Sequence, residues 1–415
     1  MTEITISKKQ LLDCLLRLRK GFGVKVAIPI LNDYKFYVDG SKMKVSVFCD
    51  EPLWMTESFT LPDKSVASEG EPRRAWCVNR HYLIPALRSL EDQDITLKVY
   101  DYQMSVNHSS GSFAMPIDDS NEYPAFGFGF TDKNGNDRST HLKLEAPGVR
   151  HWLYMLYTSL AVDFLRPVMN GMLFNLSPEG LELCASDGHK LVRIRKQSVC
   201  GDEKNIIIPR KAINVLSDVL PKTGDIGFTF TQEESHEEDR IRKDEVRKET
   251  VVDVMPTGRI DIDIDSDTEH TLQLWFRGIA GRYPNYNSVI PSSNPHSISV
   301  DRRMMIKCLE RAKVFSNDSS FLVKLDIQHD RIGLNAEDTD FQLSSQDSIP
   351  CESRCGNFSR QVIGLKITSI LDLIKRLATN NVLLRFADPS RAMIIEPEPQ
   401  PEVEDITILI MPMMY

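Results

Sequence analysis

The sequence predicts an α+β fold that is made of three repeated domains, each with two halves in which a helix is combined with strands. Two observations support this. A helix-like segment lies before and after each of three related stretches, and each stretch has a strand, a short turn, a second strand and then an acidic residue. The three stretches are PILNDYKFYVDGSKMKVSVFCDE, PVMNGMLFNLSPEGLELCASDG and FLVKLDIQHDRIGLNAEDTD. Such self-similarity indicates one supersecondary unit used several times.

Six helix-like segments accompany these stretches, and they begin at Ser7, Asn79, Ala146, Pro209, Asp301 and Lys366. Apolar residues recur at helical spacing in them, which predicts one buried face per helix. In the first helix these residues are Leu11, Leu12, Leu15 and Leu16, and in the fifth Met304, Met305, Cys308, Leu309 and Ala312. Pro85 lies inside the second segment and predicts a kink or a late start. If all six helices lie on one side of the sheets, they form a continuous lining.

The predicted domains span residues 1–125, 137–291 and 293–415. A linker rich in Gly, Asp and Asn separates the first two at Tyr123–Asn136, and the second boundary lies near Pro291–Pro295. The second domain carries a charged insertion at about 231–267, whose first part is dense in charge and predicts a loop.

The second part of the insertion alternates isoleucines with aspartates at Asp261, Asp263 and Asp265. The aspartate spacing matches the start of a calcium loop, but no glycine follows at the sixth position and Leu272 stands at the twelfth. Alternation predicts instead a strand with one acidic face.

Composition places the 415-residue chain among soluble globular proteins, with 41% hydrophobic and 26% charged residues. The chain contains no run of 18 apolar residues, so no membrane span is predicted. The N-terminus lacks an apolar signal core, so we expect a cytoplasmic protein. The eight cysteines lie mostly in apolar runs, which indicates free buried thiols. Cys351 and Cys355 are the one close pair, and no second pair gives zinc spacing. No cofactor or metal is predicted.

Charge is distributed unevenly. The net charge of −9 argues against a nucleic-acid partner, yet each of the six helix segments is net positive. In the fifth, Arg303, Lys307 and Arg311 form a row opposite the apolar face. Any one such row is typical of a solvated helix face. Six positive helices favour a shared basic surface that binds phosphates without reading sequence.

The segment SDGHKL invites an enzymatic interpretation, with Asp187 and His189 as a catalytic or metal-binding pair. The related aspartates Asp50 and Asp338 have no histidine after them, and the chain contains no nucleophile elbow, phosphate-binding loop or zinc motif. A position that recurs in each repeat predicts a structural role, in which the carboxylate closes a turn by accepting backbone hydrogen bonds. The sequence therefore favours a protein that is not an enzyme.

Several motifs together resemble the beta sliding clamp family, the processivity factors of bacterial DNA polymerase III. They are IPIL at Ile28–Leu31, RPVMNGMLF at Arg166–Phe174, SDGHKL at Ser186–Leu191, GRYPNYNSVIP at Gly281–Pro291, FSND at Phe315–Asp318 and the terminal MPMMY. The resemblance covers essentially the whole chain. It implies the DNA clamp fold and a ring-forming head-to-tail homodimer, with helices inside, sheets outside and double-stranded DNA, bound without sequence preference, in the hole.

The resemblance also implies partners and a place in the cell. Partners would be the replicative polymerase, a clamp loader and other proteins with a clamp-binding motif, and no membrane. The protein would work in the bacterial cytoplasm, on the nucleoid during replication, where it confers processivity. The alternative that the residues leave open is a scaffold that binds DNA without encircling it.

Site residues follow from matching positions in the family. The partner-peptide pocket would contain Met169, Ser186, Gly188, His189, Lys190, Leu191, Pro284, Val289, Ala392, Leu409, Met411, Pro412 and Met413. For DNA, the family match gives Lys25 and Arg166. The basic helix segments add the further expected DNA-facing cations, which are Arg17, Lys20, Arg80, Arg150, Lys211, Arg303, Lys307, Arg311 and Lys375. The dimer interface would join Phe113 and Met115 of one subunit to Val314 and Phe315 of the other. Some relatives have aromatic residues after the position of Arg166, where this chain has Pro167 and Val168.

Overall fold

The computed structural model of the chain describes residues 1–23, 28–49, 53–62, 65–68, 74–242, 245–265, 269–356 and 358–415. Two sequence-predicted positions, Lys25 and Asp50, lie outside the described residues. The chain divides into two compact units. The first unit comprises Met1–Arg150 and Lys211–Gly278, and the second comprises His151–Arg210 and Ile279–Tyr415.

Six α-helices occur in the described part of the chain, each where the sequence predicts one. They are α1 (Lys8–Leu18), α2 (Arg80–Arg88), α3 (Ala146–Leu156), α4 (Arg210–Val219), α5 (Arg302–Val314) and α6 (Ile367–Ile374). Side-chain caps fix two of the starts: Asn79 accepts from His81 N at 3.0 Å, and Asp301 accepts from Met304 N at 2.7 Å. Helix α2 contains Pro85 but begins at Arg80, so the expectation of a late start is wrong.

Strands fill most of the remaining chain. The first nine are β1 (Thr2–Ser7), β2 (Asp33–Asp39), β3 (Lys42–Cys49), β4 (Leu53–Thr60), β5 (Val66–Ser68), β6 (Ala75–Asn79), β7 (Asp94–Val99), β8 (Gln103–His108) and β9 (Gly111–Pro116). The next ten are β10 (Thr140–Glu145), β11 (Gly171–Ser177), β12 (Gly180–Ser186), β13 (Lys190–Lys196), β14 (Lys204–Pro209), β15 (Asp225–Thr231), β16 (Glu234–Arg242), β17 (Glu245–Val254), β18 (Thr257–Asp265) and β19 (His270–Arg277). The last eight are β20 (His296–Asp301), β21 (Leu322–Ile327), β22 (Arg331–Asp338), β23 (Leu343–Ser353), β24 (Gln361–Lys366), β25 (Asn381–Phe386), β26 (Met393–Glu398) and β27 (Asp405–Ile410).

One order of elements recurs three times along the chain: a strand, a helix, four strands, a helix and three strands. The additions to this order are the short β5 and the hairpin β16–β17. The predicted α+β fold of repeated helix-plus-strands halves is therefore confirmed. The domain limits 1–125, 137–291 and 293–415 stay a prediction, since the compact units combine the middle repeat partly with each neighbour.

Strand pairs between repeats explain these units. In the first unit, β4 pairs antiparallel with β19 inside a sheet of order β10-β15-β18-β19-β4-β3-β2-β6, and a second sheet has the order β5-β1-β7-β8-β9. In the second unit, β13 pairs with β27 inside a sheet of order β14-β11-β12-β13-β27-β26-β25-β20-β23-β22-β21-β24. We call the pairs β4–β19 and β13–β27 the two strand seams.

Helix faces differ in detail from the sequence prediction. Helix α1 buries Leu11 and Leu15 as expected, but its other fully buried residues are Cys14 and Leu18, whereas Leu12 and Leu16 are only partly buried. Positions i, i+3, i+4 and i+7 of a helix share a face, and Leu11, Cys14, Leu15 and Leu18 follow this spacing. The additional leucines at 12 and 16 made this face hard to identify from the sequence. Helix α5 buries the predicted set except Met304, which is 43% exposed.

The charged insertion is smaller and more regular than predicted. Strands β16 and β17 form a two-stranded antiparallel hairpin, so the expected loop is wrong. The acidic strand expected after it is confirmed as β18, which lies between β15 and β19 in the sheet and buries Ile260 and Ile262. The region 231–267 is therefore not one insertion, because β18 belongs to the repeating order and only the hairpin is additional.

A buried charge cluster ties α1 to the seam of the first unit. Glu57 on β4 has no exposed surface; Arg17 donates to both of its carboxylate oxygens at 3.1 and 2.5 Å, and His270 lies 2.5 Å away on β19. Burial would raise the pKa of Glu57, but the hydrogen bonds of His270 and Arg17 outweigh it and hold the pKa below its usual value. The carboxylate is therefore ionised and depends on both partners.

Replacing Arg17 by alanine is expected to lower the free energy of unfolding of the first unit by roughly 3 kcal/mol, because it leaves a buried carboxylate half-paired. Lys20→Ala is the control, since Lys20 makes an exposed ion pair with Asp218 at 3.0 Å, and it should cost less than about 1 kcal/mol. Urea denaturation at neutral pH measures both.

The pH dependence gives a second check on this cluster. The stabilisation from ionised Glu57 is complete above the ordinary carboxyl pKa and is lost as the pH falls through the lowered value. The difference in free energy of unfolding between wild type and Arg17→Ala should therefore become smaller at acidic pH. Equal costs for Arg17→Ala and Lys20→Ala would contradict the assignment.

Candidate functional site

The segment SDGHKL forms the turn between β12 and β13. The carboxylate Oδ1 of Asp187 accepts from the backbone N–H groups of His189 and Lys190, both at 2.9 Å. Asp338 makes the same pair of bonds to Asp340 N at 3.0 Å and Phe341 N at 3.4 Å. The two aspartates therefore close equivalent turns, as the repeats predict.

Gly188 completes this turn with a φ of +89°, a backbone conformation that glycine adopts without steric cost. A Cβ at this position would lie 3.2 Å from Nη1 of Arg166. The side chain of His189 is exposed, and its backbone carbonyl accepts from Met411 N at 2.8 Å. The turn thus connects β12–β13 to the C-terminal tail.

An apolar cluster lies beside the turn, on the strand seam of the second unit. Leu191 and Leu409 are register partners in that seam. The buried members are Leu173, Cys184, Leu191, Ile207, Tyr283, Ala392, Ile394 and Leu409, with Val168, Ile279, Tyr286 and Ile290 partly buried against them. Three predicted pocket residues, Leu191, Ala392 and Leu409, therefore meet in one cluster.

Other predicted pocket residues are more exposed. Val289 is 52% exposed and Met411 is 41% exposed, whereas Pro412 and Met413 are partly buried. The backbone of this tail is fixed, since Met413 N donates to Gly364 O on β24 at 2.8 Å. Gly364 has to be glycine, because a Cβ there would lie 2.7 Å from the carbonyl oxygen of Met413. Exposed apolar side chains on a fixed backbone suit an apolar ligand.

The remaining predicted pocket residues make contacts within the chain, and their role in a pocket stays a prediction. Ser186 Oγ donates to Lys190 O at 3.0 Å and accepts from Gly188 N at 3.2 Å. The ammonium of Lys190 is buried, 3.8 Å from a carboxylate oxygen of Asp372. Met169 is 5% exposed, in a short 3-10 turn at Pro167–Asn170. Pro284 O accepts from Tyr286 N at 2.8 Å.

Sequence reasoning missed two tyrosines of this cluster. Tyr283 Oη accepts from Ser186 N at 3.1 Å, and Tyr286 Oη bonds to Glu182. Burial raises the pKa of both phenols, and for Tyr286 the bond to Glu182 raises the pKa further. Both phenols therefore stay neutral, and both rings pack in the apolar cluster. The signal was present, because both residues lie in the motif GRYPNYNSVIP, from which only Pro284 and Val289 were selected.

The predicted DNA-facing cations divide between the units. Arg17, Lys20, Arg80, Arg150 and Lys211 belong to the first unit, and Arg166, Arg303, Lys307, Arg311 and Lys375 to the second. Most contact their own chain. Arg80 lies 4.5 Å from the ring centre of Phe22, and Lys211 Nζ donates to Phe22 O at 3.4 Å. Arg150 donates to the backbone carbonyls of Leu220 and Pro221.

In the second unit, three of these cations form ion pairs. Arg166 pairs with Asp163 at 2.9 Å, Arg311 with Asp347 at 2.7 Å and Lys375 with Glu310 at 2.7 Å. Arg303 and Lys307 are exposed, and neither makes an ion pair with a described residue. Exposed pairs contribute little and can exchange partners, so these cations remain available to phosphates. Arg17 differs, because its partner Glu57 is fully buried.

The predicted dimer residues lie on an edge strand and at the end of a helix: Phe113 and Met115 are on β9, and Val314 and Phe315 are at the C-terminus of α5. Strand β9, with Phe113 and Met115, is the last strand of its sheet. Met115 is buried, whereas Val314 and Phe315 are 71% and 36% exposed. Phe341 and Leu343, which sequence reasoning did not select, are also exposed and lie at the start of β23. The segment of β23 at 343–349 pairs on one side only, with β22.

A cluster of metal-binding side chains and a membrane-spanning helix are both absent from the described residues. No group of three or more His, Cys, Asp or Glu side chains among them could hold a metal ion. All eight cysteines are free thiols, most of them buried. No helix in the described ranges has the length and hydropathy of a membrane span.

Asp187→Ala is expected to lower the free energy of unfolding by roughly 1–2 kcal/mol, because two backbone N–H groups lose their charged acceptor. Asp187→Asn keeps an acceptor oxygen and should cost less than half as much. Asp338→Ala is the matched control, since it removes the same two bonds elsewhere. Urea denaturation followed by circular dichroism measures all three. A neutral Asp187→Ala beside a destabilising Asp338→Ala would contradict the equivalence of the two turns.

Comparisons with known proteins agree with this arrangement. The family description "DNA polymerase III beta subunit, central domain" matches residues 144–248, and "DNA polymerase III beta subunit, C-terminal domain" matches residues 287–414. Together they cover more than half of the chain. A beta sliding clamp of Haemophilus influenzae is 22% identical over 407 residues, covering 95% of each chain. One from Pseudomonas aeruginosa is 21% identical over 413 residues, covering 99% of each.

Solved structures share the fold over their whole length. A DNA polymerase sliding clamp from Pseudomonas aeruginosa, determined with a ligand, has a TM-score of 0.82 at 18% identity, with 100% of both chains covered. A sliding clamp from Bartonella birtlesii bound to griselimycin has a TM-score of 0.80 at 21% identity, again with 100% of both chains covered. The chain therefore has the sliding-clamp fold and belongs to the DNA polymerase III beta subunit family, whose beta sliding clamps are non-catalytic processivity factors.

Proposed function

We propose that this protein is a sliding clamp that encircles duplex DNA as a head-to-tail dimer and confers processivity on a replicative polymerase in the bacterial cytoplasm. Family membership supports the polymerase and DNA as partners. The observation that carries the ring is the recurrence of one element order three times, with two strand seams between repeats among the described residues.

A third seam would need two unpaired strand edges. Each existing seam joins the strand that closes the first half of one repeat to the last strand of the next repeat: β4 to β19, and β13 to β27. By the same rule, β23 of the third repeat would join β9, the last strand of the first. Both strands have an unpaired edge. A second copy supplies each with its partner, and a head-to-tail pair that closes leaves neither of these two edges exposed.

Apolar residues beside these edges favour such an interface. Val314, Phe315, Phe341 and Leu343 are exposed near β23, and Phe113 and Met115 lie on β9. Isolated exposed apolar residues are ordinary, but a group at an unpaired strand edge is a site of association. The position of the predicted dimer residues beside the strands that the seam rule selects supports this proposal.

A ring would hold DNA by topology, so its contacts with DNA need not be strong. The exposed Arg303 and Lys307 and the exchangeable pairs of Lys20, Arg166, Arg311 and Lys375 provide weak, sequence-independent attraction to phosphates. Weak attraction without base contacts permits movement along the duplex. A clamp loader and other partners with a clamp-binding motif complete this proposal.

The decisive experiment compares retention on circular and linear DNA. Protein loaded on nicked circles should survive gel filtration at raised salt, and cutting the circle should release it, since topology and not affinity holds it. The double variant Val314→Asp, Phe315→Asp is the control, because charge at the third seam should yield monomers that are retained on neither DNA. Light scattering measures the oligomer. Equal retention on circles and linear DNA would favour the alternative, a scaffold that does not encircle DNA.

We further propose that the apolar cluster of the second unit, with the tail at Met411–Met413, is the peptide pocket through which the clamp tethers its partners. Leu191, Ala392 and Leu409 form its floor, while Val289 and Met411 present exposed apolar surface. Methionine adapts to differently shaped ligands, and apolar anchors on a rigid frame suit short peptides. Relatives from Pseudomonas aeruginosa and Bartonella birtlesii bind griselimycin, which makes this compound a suitable probe.

Deleting Met413–Tyr415 is expected to weaken griselimycin binding at least about tenfold, because the bond from Met413 N to Gly364 O is lost and the tail is no longer fixed. Met414→Ala is the matched control, since Met414 is 91% exposed, and it should bind like wild type. Isothermal titration calorimetry measures affinity, and light scattering should show an unchanged dimer. Unchanged affinity in the deletion variant would place the pocket elsewhere.

A further inference from the structure

The first unit contains a counterpart of the proposed pocket, built by the same rules. In its seam, Trp54 and Trp275 are register partners, as Leu191 and Leu409 are in the other. A 3-10 turn with proline at its first position borders each site, at Pro29–Asn32 and at Pro167–Asn170. The buried members on the first seam are Ile30, Leu31, Trp54, Cys77 and Tyr123, with Phe48, Phe128 and Trp275 partly buried against them.

One hydrogen bond establishes the equivalence independently. Tyr123 Oη accepts from Phe48 N at 2.9 Å, as Tyr283 Oη accepts from Ser186 N at 3.1 Å. Phe48 pairs with Trp54 across β3–β4, and Ser186 pairs with Leu191 across β12–β13. A proline follows each tyrosine in the sequence. The two sites therefore match in strands, turn and tyrosine.

The two sites differ in what lies over the seam. After Tyr123 the chain continues as PAFGFGF, and three of its phenylalanines contact the seam tryptophans. Phe126 lies 5.4 Å from Trp54 and 5.0 Å from Trp275, both edge to face. Phe130 stacks on Trp275 at 5.0 Å, and Phe128 lies 6.4 Å from the same ring. Arg259 lies 4.9 Å from the centre of the Trp275 ring and 5.6 Å from that of Phe130.

Few backbone hydrogen bonds hold this segment. Arg277 donates to Gly127 O at 3.4 Å, and Phe130 O accepts from Arg138 N at 2.9 Å. No strand includes residues 124–130, and Phe126 remains 45% exposed. Side chains at alternate positions thus supply most of the contact with the groove, which is how an extended peptide binds a groove.

We infer that the seam of the first unit is a second peptide groove, which is occupied by the chain's own residues 124–130 acting as an internal ligand. This inference extends the proposed function, since it rests on the pocket of the second unit being a peptide site. It follows that each chain offers one open site and one closed site. The closed site has an aromatic preference, because tryptophans replace leucines on its floor.

Capture of the segment as a separate peptide tests this. In the full chain, the triple variant Phe126→Ser, Phe128→Ser, Phe130→Ser should free the groove, because it removes all three rings of this segment that contact the seam tryptophans. A synthetic peptide of residues 124–132, PAFGFGFTD, should then bind one per chain. Aromatic pairs contribute affinity beyond the area that they bury, so the affinity should exceed that of the control peptide PASGSGSTD by about tenfold or more. Calorimetry measures it. Circular dichroism and the melting temperature establish that the variant is folded.

Wild type should bind the peptide at least about tenfold more weakly than the variant, because its groove is occupied. Adding Trp275→Ala to the variant should abolish capture. Equal binding to wild type and variant, or no binding to a folded variant, overturns the inference. If the triple variant fails to fold, Phe126→Ser, Phe130→Ser provides the same comparison, because it removes the two rings that lie nearest Trp275, each at 5.0 Å. Griselimycin binding to the second unit is a separate readout, so either proposal can fail while the other stands.

Discussion

Antiparallel pairing between strands of different repeats is the constraint on which the rest of this structure depends. Within a repeat, turns connect neighbouring strands that pair locally. By contrast, β4 pairs with β19 and β13 pairs with β27 although some two hundred residues separate them in the sequence. These seams place Glu57 beside His270, and Leu191 beside Leu409. Each arises because an exposed strand edge is unstable until it is paired. The cluster around Glu57, the apolar floor of the proposed pocket and the aromatic groove all lie on a seam.

Much of the fold could be predicted from the sequence, because its signals are local and periodic. All six helices begin within one residue of their predicted starts, since caps and apolar spacing act over a single turn. The role of Asp187 also followed from local chemistry and from its counterpart Asp338. Which face of α1 is buried was harder to predict. The leucines at Leu11–Leu16 allow two overlapping apolar faces, and only packing against the sheet selects the face with Cys14 and Leu18.

What the sequence could not supply was long-range pairing. The hairpin β16–β17 was expected to be a loop, because its high charge conceals the alternation that two strands require. A count of charges on the helices also cannot separate cations that are already paired from cations that are free. Arg17 binds the buried carboxylate of Glu57, whereas Arg303 is exposed. Tyr283 and Tyr286 were visible in a motif, but their bonds to Ser186 N and Glu182 depend on strands far away in sequence. The phenylalanines of 124–130 were assigned to a linker for the same reason.

The position of β27 has a consequence for synthesis of the chain. This strand, Asp405–Ile410, pairs with β13, which begins at Lys190. Domains fold largely in the order in which they leave the ribosome. Strand β13 is therefore synthesised long before β27, and one of its edges stays unpaired until β27 is present. The proposed pocket can form only after β27 has been synthesised and has paired with β13. A chain that lacks β27 would lack the Leu191–Leu409 pair and with it part of the floor of the proposed pocket, so it could not compete with intact clamps for their partners.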